Sequence, residues 1–249
     1  MSASPARPGG PDANPPAGGA ATACLFKNAA GAGLLSPRSV FPGRSCSPAH
    51  PSQPALLNRA CRPWPTPCRT AFEVKHDGFR FITRRDGDRV RVFSRNAKDW
   101  TDKVPLIVEA TLALPVTSAT IDGEGVVVDD RGVTDFERLR AALAERGGSR
   151  AAFLYGFDLL ELGGEDLRAH PWEIRRATLT RLLRKTGPGV RLSEHLDGDG
   201  ETIFRHACAL GAEGIVAKRR DRPYRSGRCA DWVKVKNPNA PAATRKIDH

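Results

Sequence analysis

The chain is short of methionine, and its first quarter is almost without acidic residues. Residues 1–69 contain seven Lys or Arg against the single acid Asp12, and they hold 13 of the 20 prolines. They also have no sustained helical or alternating apolar period, so they cannot bury enough apolar surface to pack a core. We therefore predict that residues 1–69 form a disordered, basic, proline-rich segment.

Two interpretations of this segment stay open. An Arg-rich, acid-poor composition is typical of an organelle transit peptide, and a GC-rich reading frame extended upstream of the true start has the same composition. Met1 is the only methionine, so a shorter product would have to begin at a non-Met codon.

Paired cysteines and long apolar runs are also missing. None of the six cysteines has the C-x₂-C spacing of a zinc site, and we assign no metal or disulfide role to them. No apolar run approaches the roughly 20 residues that span a bilayer. We expect a cytoplasmic protein of the bacterial cytosol or nucleoid, with no membrane partner.

From residue 70 onward the pattern is that of a folded domain, which we place at residues 70–240. Apolar and alternating segments predict strands, and Asp86-Gly87 predicts a hairpin turn between two of them. The predicted strands are residues 71–75, 79–83, 89–93, 119–128, 151–160, 214–218 and 232–236. Helices are predicted at residues 103–114, 135–145, 172–185 and 200–210. Antiparallel strands with helices set between them indicate an α+β fold.

Charged residues inside otherwise apolar strands need an explanation. On one strand alone, a solvated face would suffice. Four predicted strands carry such residues, however: Glu73 and Lys75; Asp122 and Glu124; Glu213 and Lys218; Lys234 and Lys236. This recurrence indicates a pocket in which lysines meet phosphate oxygens and carboxylates meet Mg²⁺ or ribose hydroxyls. A lysine in such a pocket can attack an α-phosphate and hold a nucleoside monophosphate covalently.

Six short motifs occur in a fixed order along these strands. They are K-x-D-G at residues 75–78, S-R-N at 94–96, D-G-E at 122–124, F-D at 157–158, E-G-x-x-x-K at 213–218 and K-x-K at 234–236. In this order the chain resembles the nucleotidyltransferase domain of ATP-dependent DNA ligases, most of all the ligase domain of bacterial end-joining ligases. The resemblance implies an ATP-grasp-like nucleotidyltransferase domain of antiparallel sheets flanked by helices.

The resemblance also implies roles for individual residues. Lys75 is the catalytic residue and takes AMP from ATP. The implied ATP- and AMP-binding residues are Glu73 facing adenine, Phe157 stacking on it, Glu124 near the ribose, Arg80 and Arg95, and Lys234 and Lys236 at the α-phosphate. Glu124 and Glu213 are the implied ligands of Mg²⁺.

The implied reaction has three steps. Lys75 takes AMP, the AMP moves to the 5′-phosphate of nicked double-stranded DNA, and the 3′-hydroxyl displaces it to seal the strand. The candidate DNA contacts are Arg95, Arg219, Arg220 and Arg225, although basic clusters are often only solvated faces.

Three of the residues also have a simpler structural interpretation beside the role that the resemblance implies. Phe157 could be a core aromatic, Asp122 a turn former and Lys218 a solvated lysine beside Arg219. His76 stands where the family more often has an apolar or aromatic residue, and we expect it to point away from the nucleotide.

In the ligases of this family, an OB-fold domain follows the nucleotidyltransferase domain. Residues 241–249 are expected to be a short tail that cannot form it. We therefore consider two hypotheses. The first is a ligase that adenylates itself, either as a minimal enzyme or completed by an end-joining or OB-containing partner protein. The second is a non-sealing accessory module that binds nucleotide or adenylated DNA. Guanylyl transfer, as in capping enzymes, uses the same lysine chemistry, but residues 94–96 and 232–238 favour the DNA branch.

Overall fold

The structure, a computed structural model, describes residues 69–244. The disorder predicted for residues 1–69 therefore falls almost wholly outside the described residues, as does the end of the predicted tail. The strands are β1 (Thr70–Lys75), β2 (Phe79–Asp86), β3 (Arg89–Ser94), β4 (Ser118–Val126), β5 (Phe153–Leu162), β6 (Glu165–Asp166), β7 (Val190–Leu192), β8 (His195–Leu196), β9 (Gly214–Arg219) and β10 (Trp232–Lys236). The helices are α1 (Pro105–Leu112), α2 (Phe136–Ala144), α3 (Trp172–Leu182), α4 (Gly200–Ala209) and α5 (Pro241–Thr244).

The strands form two sheets. The small sheet has the order β10-β9-β1-β8, and the large sheet has the order β3-β2-β4-β5-β6, with β7 beside β5. All pairings are antiparallel except that of β5 with β7. The predicted α+β fold of antiparallel sheets flanked by helices is confirmed.

The two sheets have cores of very different size. The large sheet buries an extensive apolar cluster that includes Phe81, Ile121 and Leu159 and takes in residues of α1, α2 and α3. The small sheet buries a minor cluster of Phe72, Ala207, Ile215 and Ala217 beneath α4. Burial of apolar surface is the main favourable term in folding. Because the large sheet has the larger cluster, it supplies most of that favourable free energy.

Local signals in the sequence account for several element ends. The Asp135 carboxylate accepts hydrogen bonds from the backbone N–H groups of Glu137 and Arg138 at 2.9 and 3.0 Å, and it caps α2. Gly87 and Gly211 have φ values of 59° and 80°, a region that glycine enters without steric cost. Gly87 forms the predicted hairpin turn, and Gly211 follows the end of α4.

One predicted helix needs correction, and three short strands were missed. The helix predicted at residues 103–114 is a 3₁₀ turn (Thr101–Lys103) followed by α1, which starts at a proline. Its buried face contains Ile107, Ala110 and Thr111, while Leu112 is 36% exposed and not on the core side. The short strands β6, β7 and β8 were not predicted.

The turn between β1 and β2 lies against β4 at very close range. A Cβ atom on Gly78 would lie 2.3 Å from the carbonyl oxygen of Gly125 and 2.9 Å from Cγ1 of Val126. Real side chains do not make contacts this short, so only glycine fits here. Glycine therefore allows the turn after Lys75 to pack directly against β4, where Phe79 pairs with Gly125.

Candidate active site

A cavity of about 660 Å³ opens between the two sheets. Strands of both sheets and the long β9–β10 connection supply its walls. Its lining residues that bear on function are Glu73, Lys75, His76, Arg80, Arg95, Glu124, Phe157, Ser193, Lys218, Tyr224, Arg228, Trp232 and Lys234. The fold thus brings together seven of the eight nucleotide-binding residues predicted from sequence. The eighth, Lys236, is the last residue of β10 and pairs with Gly214, as Lys75 does from the other side, but it is not among the cavity-lining residues of the described chain.

Lys75 lies at the end of β1 and forms an ion pair with Glu213. The antiparallel register of β1 and β9 places Lys75 opposite Gly214, directly after Glu213. Both side chains are largely buried. The amine therefore has a carboxylate next to it that can take up a proton.

Arg80 is held by two side chains on the cavity wall. Its Nε donates to Oδ1 of Asp122 at 2.9 Å, and its Nη2 donates to the Tyr224 hydroxyl at 2.9 Å. The Tyr224 hydroxyl in turn donates to Oδ2 of Asp122 at 2.9 Å. Asp122 is fully buried inside β4, which excludes the turn-former alternative and makes it an anchor for Arg80.

Beside Arg80, whose guanidinium carbon lies 5.7 Å from the ring centroid of Phe157, the cavity has aromatic walls and a buried ion pair. Lys218 is only 2% exposed, and its Nζ donates to Oε1 of Glu73 at 2.9 Å. The same ammonium lies 4.5 Å from the ring centroid of Phe157 and 4.3 Å from that of Trp232. The solvated-lysine alternative is therefore wrong. Phe157 lines the cavity, which favours the stacking role over that of a core aromatic.

Two titratable groups near Lys75 have shifted pKa values. Burial raises the pKa of Glu124 to about 7, against the opposing effect of Lys75 and Lys234. Desolvation, followed by repulsion from Lys75, lowers the pKa of Lys234. Both shifts favour the neutral form of the group, because a charged group is costly where water is largely excluded.

His76 stacks on Tyr155 with ring centroids 4.1 Å apart. Burial and the neighbouring Lys75 lower the pKa of His76 to about 3, so its imidazole is neutral at physiological pH. Because His76 lines the cavity, the expectation that it points away is not supported.

The candidate DNA-contact residues divide into two groups. Arg219 pairs with Asp221 at 3.0 Å, and Arg220 pairs with Asp197. Arg95 and Arg225 are exposed, and Arg95 lies at the cavity beside Ser94. Arg95 and Arg225 are therefore the better placed pair for an external phosphate.

A site for Mg²⁺ has to be judged from the donors present. Residues 69–244 contain no group of three or more His, Cys, Asp or Glu that could hold a metal ion. Mg²⁺ at nucleotide sites is usually bound by one or two carboxylates together with substrate phosphates. Glu124 and Glu213, which both interact with Lys75, fit that smaller requirement.

Sequence reasoning missed three residues of the site. Tyr224 anchors Arg80, Trp232 forms an aromatic wall, and Ser193 donates to Oε2 of Glu73 at 3.3 Å. Trp232 could have been found, because it is in phase with Lys234 on its strand. Tyr224 and Ser193 lie in loops without a local signal.

Comparison with known proteins decides the family. Residues 65–236 match the ATP dependent DNA ligase domain. The chain belongs to this family. The ligase domain is 40% identical over 168 residues to the multifunctional non-homologous end joining protein LigD of Pseudomonas aeruginosa, covering 67% of this chain and 20% of that protein. It is 37% identical over 170 residues to the LigD DNA repair protein of Mycobacterium tuberculosis H37Rv, covering 68% and 22%.

Solved structures agree with this assignment. The ligase domain of M. tuberculosis LigD matches with a TM-score of 0.59 and 35% identity over 68% of this chain and 55% of that one. A mycobacterial DNA ligase D complexed with ATP and MES matches equally well, with the same coverage. The present ligase domain spans about a fifth of the length of the LigD relatives. Among residues 69–244, no helix has the length and apolarity needed to cross a membrane.

Proposed function

We propose that this ligase domain adenylates itself on Lys75 with ATP and passes the AMP to DNA for strand sealing. The observation that carries the proposal is the arrangement of one cavity. Lys75, Arg95 and Lys234 line it, and so do Glu73 and Phe157, whose ring centroid lies 5.7 Å from the guanidinium carbon of Arg80. A nucleotide with its base on Phe157 would lie beside Arg80, and we place its α-phosphate at the Lys75 amine.

The first step forms a bond from the Lys75 nitrogen to the α-phosphorus and breaks the bond to the pyrophosphate oxygen. The lysine must first lose a proton, because only the neutral amine has a free electron pair. Glu213, already paired with the amine, is the residue we assign to accept that proton. Lys234 and Arg80 would stabilise the charge that develops on the phosphate oxygens.

Mg²⁺ would supply further charge neutralisation at the phosphates when bound. Glu124 and Glu213 are the carboxylates that would hold it, and Glu213 can do so only while it does not carry the proton from Lys75. Glu124, with a pKa of about 7, changes its charge near neutral pH. Its ability to serve as a ligand should therefore increase as the pH rises.

The later steps need a DNA end. Arg95 and Arg228, which line the cavity, and the exposed Arg225 would contact the phosphates of nicked double-stranded DNA. The names of the relatives link them to non-homologous end joining, and we extend that role, with an end-joining partner protein and action in the bacterial cytoplasm, to this chain.

The test is covalent labelling with α-labelled ATP and Mg²⁺, followed by denaturation. We expect label on the wild-type chain and none on Lys75→Ala. Lys185→Ala, which changes an exposed lysine after α3, is the matched control and should label normally. An unlabelled wild type would overturn the proposal.

Sealing is tested separately on pre-adenylated nicked DNA, which needs no ATP. Sealed product would support the full ligase function. Lysine labelling without sealing would favour the second hypothesis, a non-sealing module that binds nucleotide or adenylated DNA.

A further inference from the structure

We propose that Lys218 is a positioning residue that keeps the Glu73 carboxylate directed at the cavity, and thereby sets how strongly the amino group of the nucleotide base is recognised. The proposal rests on the proposed function in one respect only, that this cavity binds an adenine nucleotide. Lys218 itself need not touch the nucleotide.

The surroundings of Lys218 form a closed slot. Its ammonium lies between the rings of Phe157 and Trp232, at 4.5 and 4.3 Å, and donates to Glu73 at 2.9 Å and to the Phe157 carbonyl oxygen at 3.4 Å. A buried ammonium is costly unless it is paired and hydrogen-bonded, and ring faces attract cations. The slot therefore fixes the ammonium, and the ammonium fixes both Glu73 and the aromatic wall.

A second cation competes for the same carboxylate. Nη1 of Arg176, on α3, lies 3.8 Å from Oε1 of Glu73, the oxygen that Lys218 contacts. Within residues 69–244, Nε and Nη1 of the buried Arg176 have no hydrogen-bond partner. Arg176 is not a cavity-lining residue of the described chain, whereas Lys218 is. Without Lys218, the carboxylate would be free to move towards Arg176 and away from the cavity.

The position of the carboxylate decides what it can recognise. An ionised carboxylate accepts hydrogen bonds at about four lone-pair sites and donates none. Lys218 and Ser193 use one site on each oxygen, which leaves acceptors for a ligand. A base stacked on Phe157 that carries an exocyclic amino group, as adenine does, can donate to them.

The experiment measures binding rather than chemistry. Calorimetric titration of the full chain with AMP, and with purine riboside 5′-monophosphate, which lacks only the amino group, gives the preference for that group. We expect wild type to prefer AMP by about tenfold or more, the usual effect of a hydrogen bond to a charged group. We expect the preference to fall below about threefold in Lys218→Met.

Arg176→Met is the matched control, because it removes the other cation beside Glu73. It should keep the preference of wild type, since Lys218 still holds the carboxylate. A purely structural role of Lys218 would weaken the binding of both nucleotides equally and leave their ratio unchanged.

The outcomes divide clearly. A wild type without the preference, a Lys218→Met that keeps it, or an Arg176→Met that loses as much of it would each overturn the proposal.

If circular dichroism shows that Lys218→Met is unfolded, the Lys218→Arg variant is measured in its place. Its guanidinium is too wide for the slot and should lower the ratio at least about threefold; an unchanged ratio would overturn the proposal. Because binding requires no attack by Lys75, the preference can be present while covalent labelling fails, and that result would count against the proposed function alone.

Discussion

The two sheets differ in the size of their apolar cores, while both bury charged groups. The large sheet packs against an extensive apolar cluster and also buries Asp122 and Asp158, whereas the small sheet and its helix bury only Phe72, Ala207, Ile215 and Ala217 in their cluster, beside Glu73, Glu213 and Lys218. Charged groups buried in this way contribute little net stability. The small sheet therefore depends more on its neighbour for the stability of its charged groups.

The largest effect should separate the two cores directly. Leu159→Ala in the large core and Ile215→Ala in the small core both truncate fully buried side chains. Substitutions of this kind cost about 2–5 kcal/mol, depending on how far the site can collapse. We expect Leu159→Ala near the upper end and Ile215→Ala near the lower end, measured by urea unfolding. Equal or reversed losses of unfolding free energy would contradict the difference in core size between the two sheets.

A second effect concerns pH. The pKa of Glu124 is raised to about 7 in the folded protein from an ordinary value of 4.5, so the folded state binds this proton more tightly than the unfolded state. The free energy of unfolding should therefore fall as pH rises from about 4.5 to 7, by at most about 3 kcal/mol.

Urea unfolding at pH 5 and pH 8 measures this change. Glu124→Gln should show a smaller loss between the two values than wild type. Glu145→Gln, at an exposed glutamate after α2, should behave like wild type. If Glu124→Gln keeps the full pH dependence, the raised pKa of Glu124 is not the cause of the loss in unfolding free energy.

The smallest effect should appear in activity with little change in stability. Tyr224→Phe removes only the hydroxyl that bridges Arg80 and Asp122. Hydrogen bonds to charged groups contribute about 1.5–3 kcal/mol, so we expect the rate of Lys75 labelling to fall about tenfold. A stopped time course of labelling, with a thermal melt of the same variant, checks it. Labelling at the wild-type rate would show that Arg80 needs no anchor.

Much of the fold could be predicted because its strands carry strong local patterns. Strands β1, β2, β3, β9 and β10, and the cap and stop of the helices, follow from alternation and turn residues near in sequence. Strands β6, β7 and β8 have two or three residues each, too few to show a period. Their pairing partners, which stabilise them, lie in other strands.

The sequence predicted which residues belong to the candidate site, but it did not predict their burial or their partners. The ordered motifs indicate Lys75, Glu73, Phe157 and Lys234, and the fold places all four around one cavity. Lys218 looks solvated because two arginines follow it, and its burial depends on Glu73, far away in sequence. Such long-range contacts leave no local pattern.

The glycine of K-x-D-G has a consequence for transplanting this chemistry. Gly78 is needed because the backbone of β4 lies directly against it at Gly125. Four residues grafted onto another turn would bring the amine without the strand that packs against the glycine. The smallest portable unit of this site is therefore the K-x-D-G turn together with the part of β4 beside it.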